Sequence, residues 1–172
     1  MNLYLRLLLA LLRTWRSSPI VAGETVRRSF RVLPNDLDIN AHMNNGRYLT
    51  MIDLMIVEYF VRCGFAKILL RNRWRPVVGG SIITYRRGLA PFATYELALT
   101  AEGRDQFWNY LRFEFRQGER VCAVGYIKGA TIARGKLIDT ATSFAGMEDR
   151  RKPELSPAVR AWKDAETLLA AS

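Results

Sequence analysis

Between residues 35 and 48 the chain reads N-D-L-D-I-N-A-H-M-N-N-G-R-Y, placing its single histidine, His42, among Asp36, Asp38, Asn40, Asn44 and Asn45. A carboxylate, an imidazole and several amides this close together can do general acid–base work or nucleophilic attack, provided the fold orients them. Each also has a plainer use. Asp ahead of a helix is commonly a turn or cap residue. A lone histidine is commonly a satisfied structural side chain, and without a second histidine or cysteine nearby it does not make a metal site. The alternation of Asp36, Asp38 and Asn40 imitates the start of a calcium loop. Ala41 stands where that loop needs glycine, however, and Arg47 where it needs a bidentate glutamate, so no metal is expected.

The surrounding elements decide where this stretch sits. Residues 24–33 read as a strand ended by Pro34. Asn44-Asn45 can start a helix, because apolar residues then recur at helical spacing through Tyr48, Leu49, Ile52, Met55, Ile56, Tyr59 and Phe60, with Gly64 as a stop. After a basic run at 71–75 come four strand-like runs, 77–87, 95–101, 107–116 and 120–133, with Gly88, Gly103, Gly118 and Gly135 at or near the breaks. Ser156 followed by Pro157 predicts a last helix to about Ala170. A strand, a long helix and then a run of antiparallel strands is an α+β order. The polar stretch therefore lies at the N-terminus of the central helix, where free backbone N–H groups and the positive dipole end can hold an anion.

At 172 residues the chain reads as one globular body, divided into an N-terminal helix (1–20), a core (21–138) and a C-terminal extension (139–172). Lys and Arg number 26 against 16 Asp and Glu, a net charge of +10 that favours anionic partners. No recognisable nucleic-acid module accompanies that charge, so nucleic acid ranks last among them. Cys63 and Cys122 have no metal or disulfide spacing, which fits a reducing, cytoplasmic compartment. Residues 1–16 place Asn2, Arg6, Arg13 and Arg16 on one stripe of a leucine-rich helix. It falls short of the roughly 20 apolar residues that span a bilayer. Two readings stand for it: packing on the body or on a partner subunit, and a peripheral membrane contact with arginines at the headgroups.

The run D-L-D-I-N-A-H-M-N-N-G-R-Y from Asp36 to Tyr48 resembles the signature of hot-dog-fold acyl thioesterases of the 4-hydroxybenzoyl-CoA thioesterase type. Its core, Asp38-Ile-Asn40-Ala-His42-Met-Asn44-Asn45, is similar to plant acyl-carrier-protein thioesterases. The longer frame R-V-L-P-N-D-L-D through H-M-N-N-G-R-Y-L resembles the thioesterase superfamily member six group, as do R-C-G at 62–64, S-I-I-T-Y-R-R at 81–87 and P-E-L-S-P-A near the end. The resemblance implies a five-stranded antiparallel sheet wrapped around one long central helix, with extra N- and C-terminal helices. It also implies a homodimer or dimer of dimers with shared sites.

For chemistry, the resemblance implies hydrolysis of an acyl thioester of coenzyme A or an acyl-carrier protein. Asp38 would attack the carbonyl or activate water, backbone N–H at Asn45 would hold the oxyanion, and Asn40 and His42 would contribute. Tyr48, Gly79, Gly80, Tyr85, Arg86 and Arg87 are candidates for binding the substrate. No cofactor is implied, since coenzyme A enters only as part of the substrate. Gly79-Gly80 reads equally as a plain strand distortion. Asp53 and Glu58 read as supporting or solvent-facing groups. Tyr59, Phe60, Tyr85, Phe107 and Trp108 are candidates to line an acyl pocket. Two other readings remain. A hot-dog hydratase or dehydratase conflicts with the short Asp38-to-His42 spacing and with Ala41 in place of proline; a non-catalytic acyl-thioester-binding or membrane-associated protein would keep the motif without turnover.

Overall fold

The computed structural model describes residues 3–151 and 154–171. The long helix α2 and its neighbours follow directly from the sequence pattern. After an N-terminal helix, α1 (Leu3–Trp15), and a first strand, β1 (Thr25–Arg31), α2 runs Asn45–Arg62. Asn44 caps it, its side-chain oxygen accepting the N–H of Gly46 at 2.9 Å. Tyr48, Met51, Ile52, Met55 and Tyr59 then follow at three- and four-residue steps, and all are buried. Gly64, left-handed at φ 83, ends the helix and opens a short α3 (Phe65–Asn72). That helix takes in part of the basic run at 71–75, which the sequence pattern leaves unassigned.

The strands are β2 (Arg75–Tyr85), β3 (Thr94–Arg104), β4 (Asn109–Gln117) and β5 (Arg120–Ala133). With β1 they pair antiparallel in the order β1-β3-β4-β5-β2. A short β6 (Lys136–Ile138) folds back on β5, so the sheet has one strand more than the five expected. Period-two alternation sends Leu97, Leu99, Phe113 and Phe115 to one face, where they are fully buried against the apolar stripe of α2. The result is the hot-dog arrangement, a curled antiparallel sheet holding one long helix. The single turn α4 (Thr140–Ser143) leads on to α5 (Pro157–Ala170), capped by Ser156. Val159 and Trp162 of α5 cover Tyr110 and Tyr126 on the sheet's other face.

Helix α1 packs along α2, with Leu7 against the core and Thr14 buried. Its arginines do not lie together on an outward face. Arg6 turns inward and pairs with the buried carboxylate of Asp36 at 2.6 Å, which suits the reading that packs this helix on the body. Leu8, Leu11 and Leu12 face outward at 52%, 41% and 49% exposure, and Arg13 is exposed beside them. No described helix is long and apolar enough to cross a membrane.

Candidate active site at the start of the central helix

Between β1 and α2 the chain closes into a small, over-determined loop. Residues Pro34–Asp36 make one 3-10 turn, and Leu37 pairs with Met43 in an isolated antiparallel bridge. Asp38 N–H donates to the His42 carbonyl at 2.8 Å, and Ala41 N–H donates to the Asp38 carbonyl at 3.1 Å. Ala41 is left-handed at φ 54, the conformation that closes the turn. Within it, Asp38 Oδ1 accepts the N–H of Asn40 at 2.8 Å and of His42 at 3.3 Å. Oδ2 accepts no hydrogen bond from the described residues. This is the Asx-turn use of an aspartate, and it also fixes the direction of a carboxylate that keeps one oxygen free.

The capping geometry singles out one backbone donor. Asn44 N–H donates to the Asp36 carbonyl at 2.8 Å, Gly46 N–H to the Asn44 side chain, and Arg47 N–H to the Asn44 carbonyl at 2.8 Å. The N–H of Asn45 has no acceptor among the described residues and sits at the positive end of α2. Tyr85, at the end of β2, donates its hydroxyl to the Asn45 carbonyl at 3.1 Å and so pins the helix start to the sheet. Tyr48 lies beneath, edge-on to Tyr85 and Phe115. Burial pushes its hydroxyl up to about 12, so it remains a neutral phenol at neutral pH.

Asp38, Asn40, His42, Asn45, Tyr48, Tyr85, Arg86 and Arg87 all line one open depression of about 280 Å³. Gly79 and Gly80 lie elsewhere. They sit within β2, where the register slips between Val78 and Gly80. A Cβ on Gly79 would fall 2.1 Å from the Trp108 ring, and one on Gly80 would fall 3.2 Å from that of Trp162. These glycines make room for aromatic rings beside α5, at a register slip that fits the strand-distortion reading. Trp108 is thereby committed to packing against Gly79. Tyr59 is a core residue whose hydroxyl accepts the Gly23 N–H at 2.8 Å.

One residue of the depression carried only a turn signal in the sequence. A Cβ on Gly88 would lie 2.6 Å from Cδ2 of His42, so glycine is what lets the imidazole rest against the strand end. A separate apolar cavity of about 200 Å³ opens beside the C-terminal half of α2. Ile56, Val57 and Phe60 line it together with Val77 and Val78 of β2. Asp53 faces the same cavity with no ion pair among the described residues, and burial pushes its carboxyl up. Glu58, by contrast, is buried and held by Arg28 and Arg62.

Residues 32–163 match the model of the thioesterase-like superfamily, and the chain belongs to that superfamily. Over 137 residues it is 36% identical to Protein THEM6 of Danio rerio, a match covering 78% of this chain and 65% of that one. Over 84 residues it is also 36% identical to Protein THEM6 of Xenopus laevis, covering 48% and 41%. The chain thus spans less than two thirds of the length of these relatives. Among solved structures, a 1,4-dihydroxy-2-naphthoyl-CoA thioesterase from Synechocystis is similar in fold, with a TM-score of 0.61 at 13% identity, over 70% of this chain and 93% of that one.

Proposed function

We propose that the protein hydrolyses an acyl thioester of coenzyme A or an acyl-carrier protein to a free acid and a thiol. The observation that carries this reading is a carboxylate, Asp38, held by two backbone N–H groups in the loop that leads to the helix-start N–H of Asn45, which has no acceptor among the described residues. Asp38 either adds to the thioester carbonyl or takes the proton of a water that does so. The negative charge that develops on the carbonyl oxygen is stabilised by the Asn45 N–H and the helix dipole. The carbon–sulfur bond then breaks and the thiolate leaves and takes up a proton, with little need for a strong acid. Where Asp38 itself has added, a water then hydrolyses the acyl–Asp38 anhydride to release the acid and restore the carboxylate. Asn40 and His42 shape the loop that aims the carboxylate. Arg86 and Arg87, exposed at the rim, suit the phosphates of coenzyme A.

The same reading supplies a place for the acyl group. Strand β2 is a sheet edge, and a second copy pairing with it antiparallel would set the Tyr85 end of one strand against the Arg75 end of the other. The depression of one subunit would then face its partner's apolar cavity, which begins at Pro76. A homodimer of this kind, alone or as a dimer of dimers, completes the site. The unpaired thiols Cys63 and Cys122 fit a cytoplasmic setting. Any peripheral membrane contact falls on Leu8, Leu11 and Leu12; Leu8→Glu with Leu11→Glu should then abolish sedimentation with liposomes.

The reading is tested by measuring thiol release from a panel of aliphatic and aromatic acyl-CoA thioesters. Turnover is expected on at least one, with loss in Asp38→Asn. A folded wild-type protein that releases no thiol from any acyl-CoA or acyl-carrier-protein thioester would overturn it.

A further inference from the structure

A groove separate from that site runs between α1, β1 and the flank of α2. Leu9, Phe30, Leu33, Leu54 and Met55 give it an apolar lining around about 380 Å³. That lies within the roughly 300–1,000 Å³ typical of small-molecule sites. The charge on its walls is one-sided. Arg6, Arg13, Arg28 and Arg31 line the groove against a single acid, Glu58.

Two of these arginines are already neutralised. Arg6 pairs with Asp36 at 2.6 Å, and Arg28 reaches both oxygens of Glu58 at 2.9 Å. Glu58 also receives Arg62 at 3.2 Å, so it presents no uncompensated negative charge. Arg13 and Arg31 are exposed and have no acidic partner among the described residues; Arg31 donates its Nε to the carbonyl of Phe92. The groove thus joins a partly buried apolar lining to two guanidinium groups without an acidic partner among the described residues. Its complement is an alkyl chain ending in an anion, because an arginine fork matches both carboxylate and phosphate oxygens. Strand β1 is the sheet edge opposite β2, so a dimer formed through β2 leaves this groove open.

We propose that the groove between α1 and β1 binds a single-chain anionic amphiphile, a medium-length alkyl carboxylate or alkyl phosphate, with its head at Arg13 and Arg31. Binding there is independent of the chemistry at Asp38. The full chain is titrated calorimetrically with dodecanoate, dodecyl phosphate, dodecanol and butanoate, all below micellar concentrations. Saturable binding of at least one long-chain anion is expected, and the preferred anion identifies the head. Dodecanol should bind roughly tenfold more weakly or worse, the size of one lost charge-assisted hydrogen bond. Butanoate, with fewer buried methylenes, should bind more weakly still. The surface double variant Arg13→Glu, Arg31→Glu should weaken the long-chain anion by a similar factor, while Asp38→Asn binds it as the wild type does. The proposal is overturned if no long-chain anion binds saturably, if dodecanol or butanoate matches it, or if the double charge reversal leaves its affinity unchanged.

Discussion

Asp36 and Asp38 are two residues apart, and the fold treats them in opposite ways. Asp36 is 1% exposed. Its Oδ2 takes the Leu33 N–H at 2.9 Å and the Arg6 guanidinium at 2.6 Å, and its carbonyl takes the Asn44 N–H at 2.8 Å. One residue thus ties the end of β1, the inner face of α1 and the cap of α2 together. Asp38 lines the depression, and among the described residues it forms hydrogen bonds only within its own loop, with none at Oδ2. A desolvated carboxylate needs its partners to remain charged, whereas a reactive one must keep a lone pair unspent. The buried aspartate is the floor that holds the half-buried one in place, an ordered support beneath a carboxylate with an oxygen to spare.

That contrast can be broken by exchanging which carboxylate is removed. Asp38→Asn keeps the size and most of the loop's hydrogen bonds, and should lower the rate of thiol release by ~10²–10⁴. Its folding stability should stay within about 0.5 kcal/mol of wild type, as for an ordinary surface change. Asp36→Ala should act the other way, costing about 3–5 kcal/mol because Arg6 is left buried without its counter-charge. Urea unfolding of both variants, alongside their kinetics, separates the two roles. A destabilised Asp38→Asn with a stable Asp36→Ala would reverse the assignment.

The sequence reading reached most of this scaffold because the relevant signals are local. The stripe from Tyr48 to Tyr59, the Asn44 cap and the alternating strands are each set by neighbours along the chain. The motif from Asp38 to Tyr48 gathered as expected for the same reason, since a tight loop and a first helical turn bring those residues together. What escaped depends on contacts across the fold. The helical wheel of α1 grouped Arg6 with Arg13 but could not say which face the body covers. Gly79 looks like a place for backbone to approach a ligand until Trp108, in the turn just before β4, is seen lying against it. Helix α3, eight residues long, is too short for its apolar spacing to stand out. Gly88 reads as a strand break, and only the imidazole packed against it reveals a second use.

Gly88 gives a smaller and sharper probe of the exposed region. In Gly88→Ala the new methyl would lie 2.6 Å from Cδ2 of the His42 ring, well inside van der Waals contact. The ring must turn away. We expect roughly a tenfold loss of turnover, inside the ~10²-fold that a misplacement of about 1 Å can cost. His42→Ala should lose a similar factor. The double variant should lose no more than either single one, because both act through the same imidazole. Additive losses would show that Gly88 matters for another reason.

The smallest expected effect tests whether the loop holding Asp38 is strained. Ala41 is left-handed at φ 54, a region that costs a residue with a Cβ roughly 1–2 kcal/mol. Glycine there removes the clash but brings back about 0.5–1 kcal/mol of unfolded-chain entropy. Ala41→Gly should therefore stabilise the fold by about 0.5–1 kcal/mol, a rise in melting temperature of roughly 1–4 °C for a chain of this size. The rate should move in the opposite sense. The N–H groups of Asn40 and His42 that hold Asp38 Oδ1 flank Ala41 on either side, so a more mobile residue at that point loosens their aim. A variant that melts higher yet turns over a few-fold more slowly is the expected pair of outcomes, as when a strained loop is relaxed at a working site. Scanning calorimetry and steady-state thiol release on the same preparation read both. A lower melting temperature would mean that the left-handed turn is held without strain, and that the order around Asp38 comes from its hydrogen bonds alone.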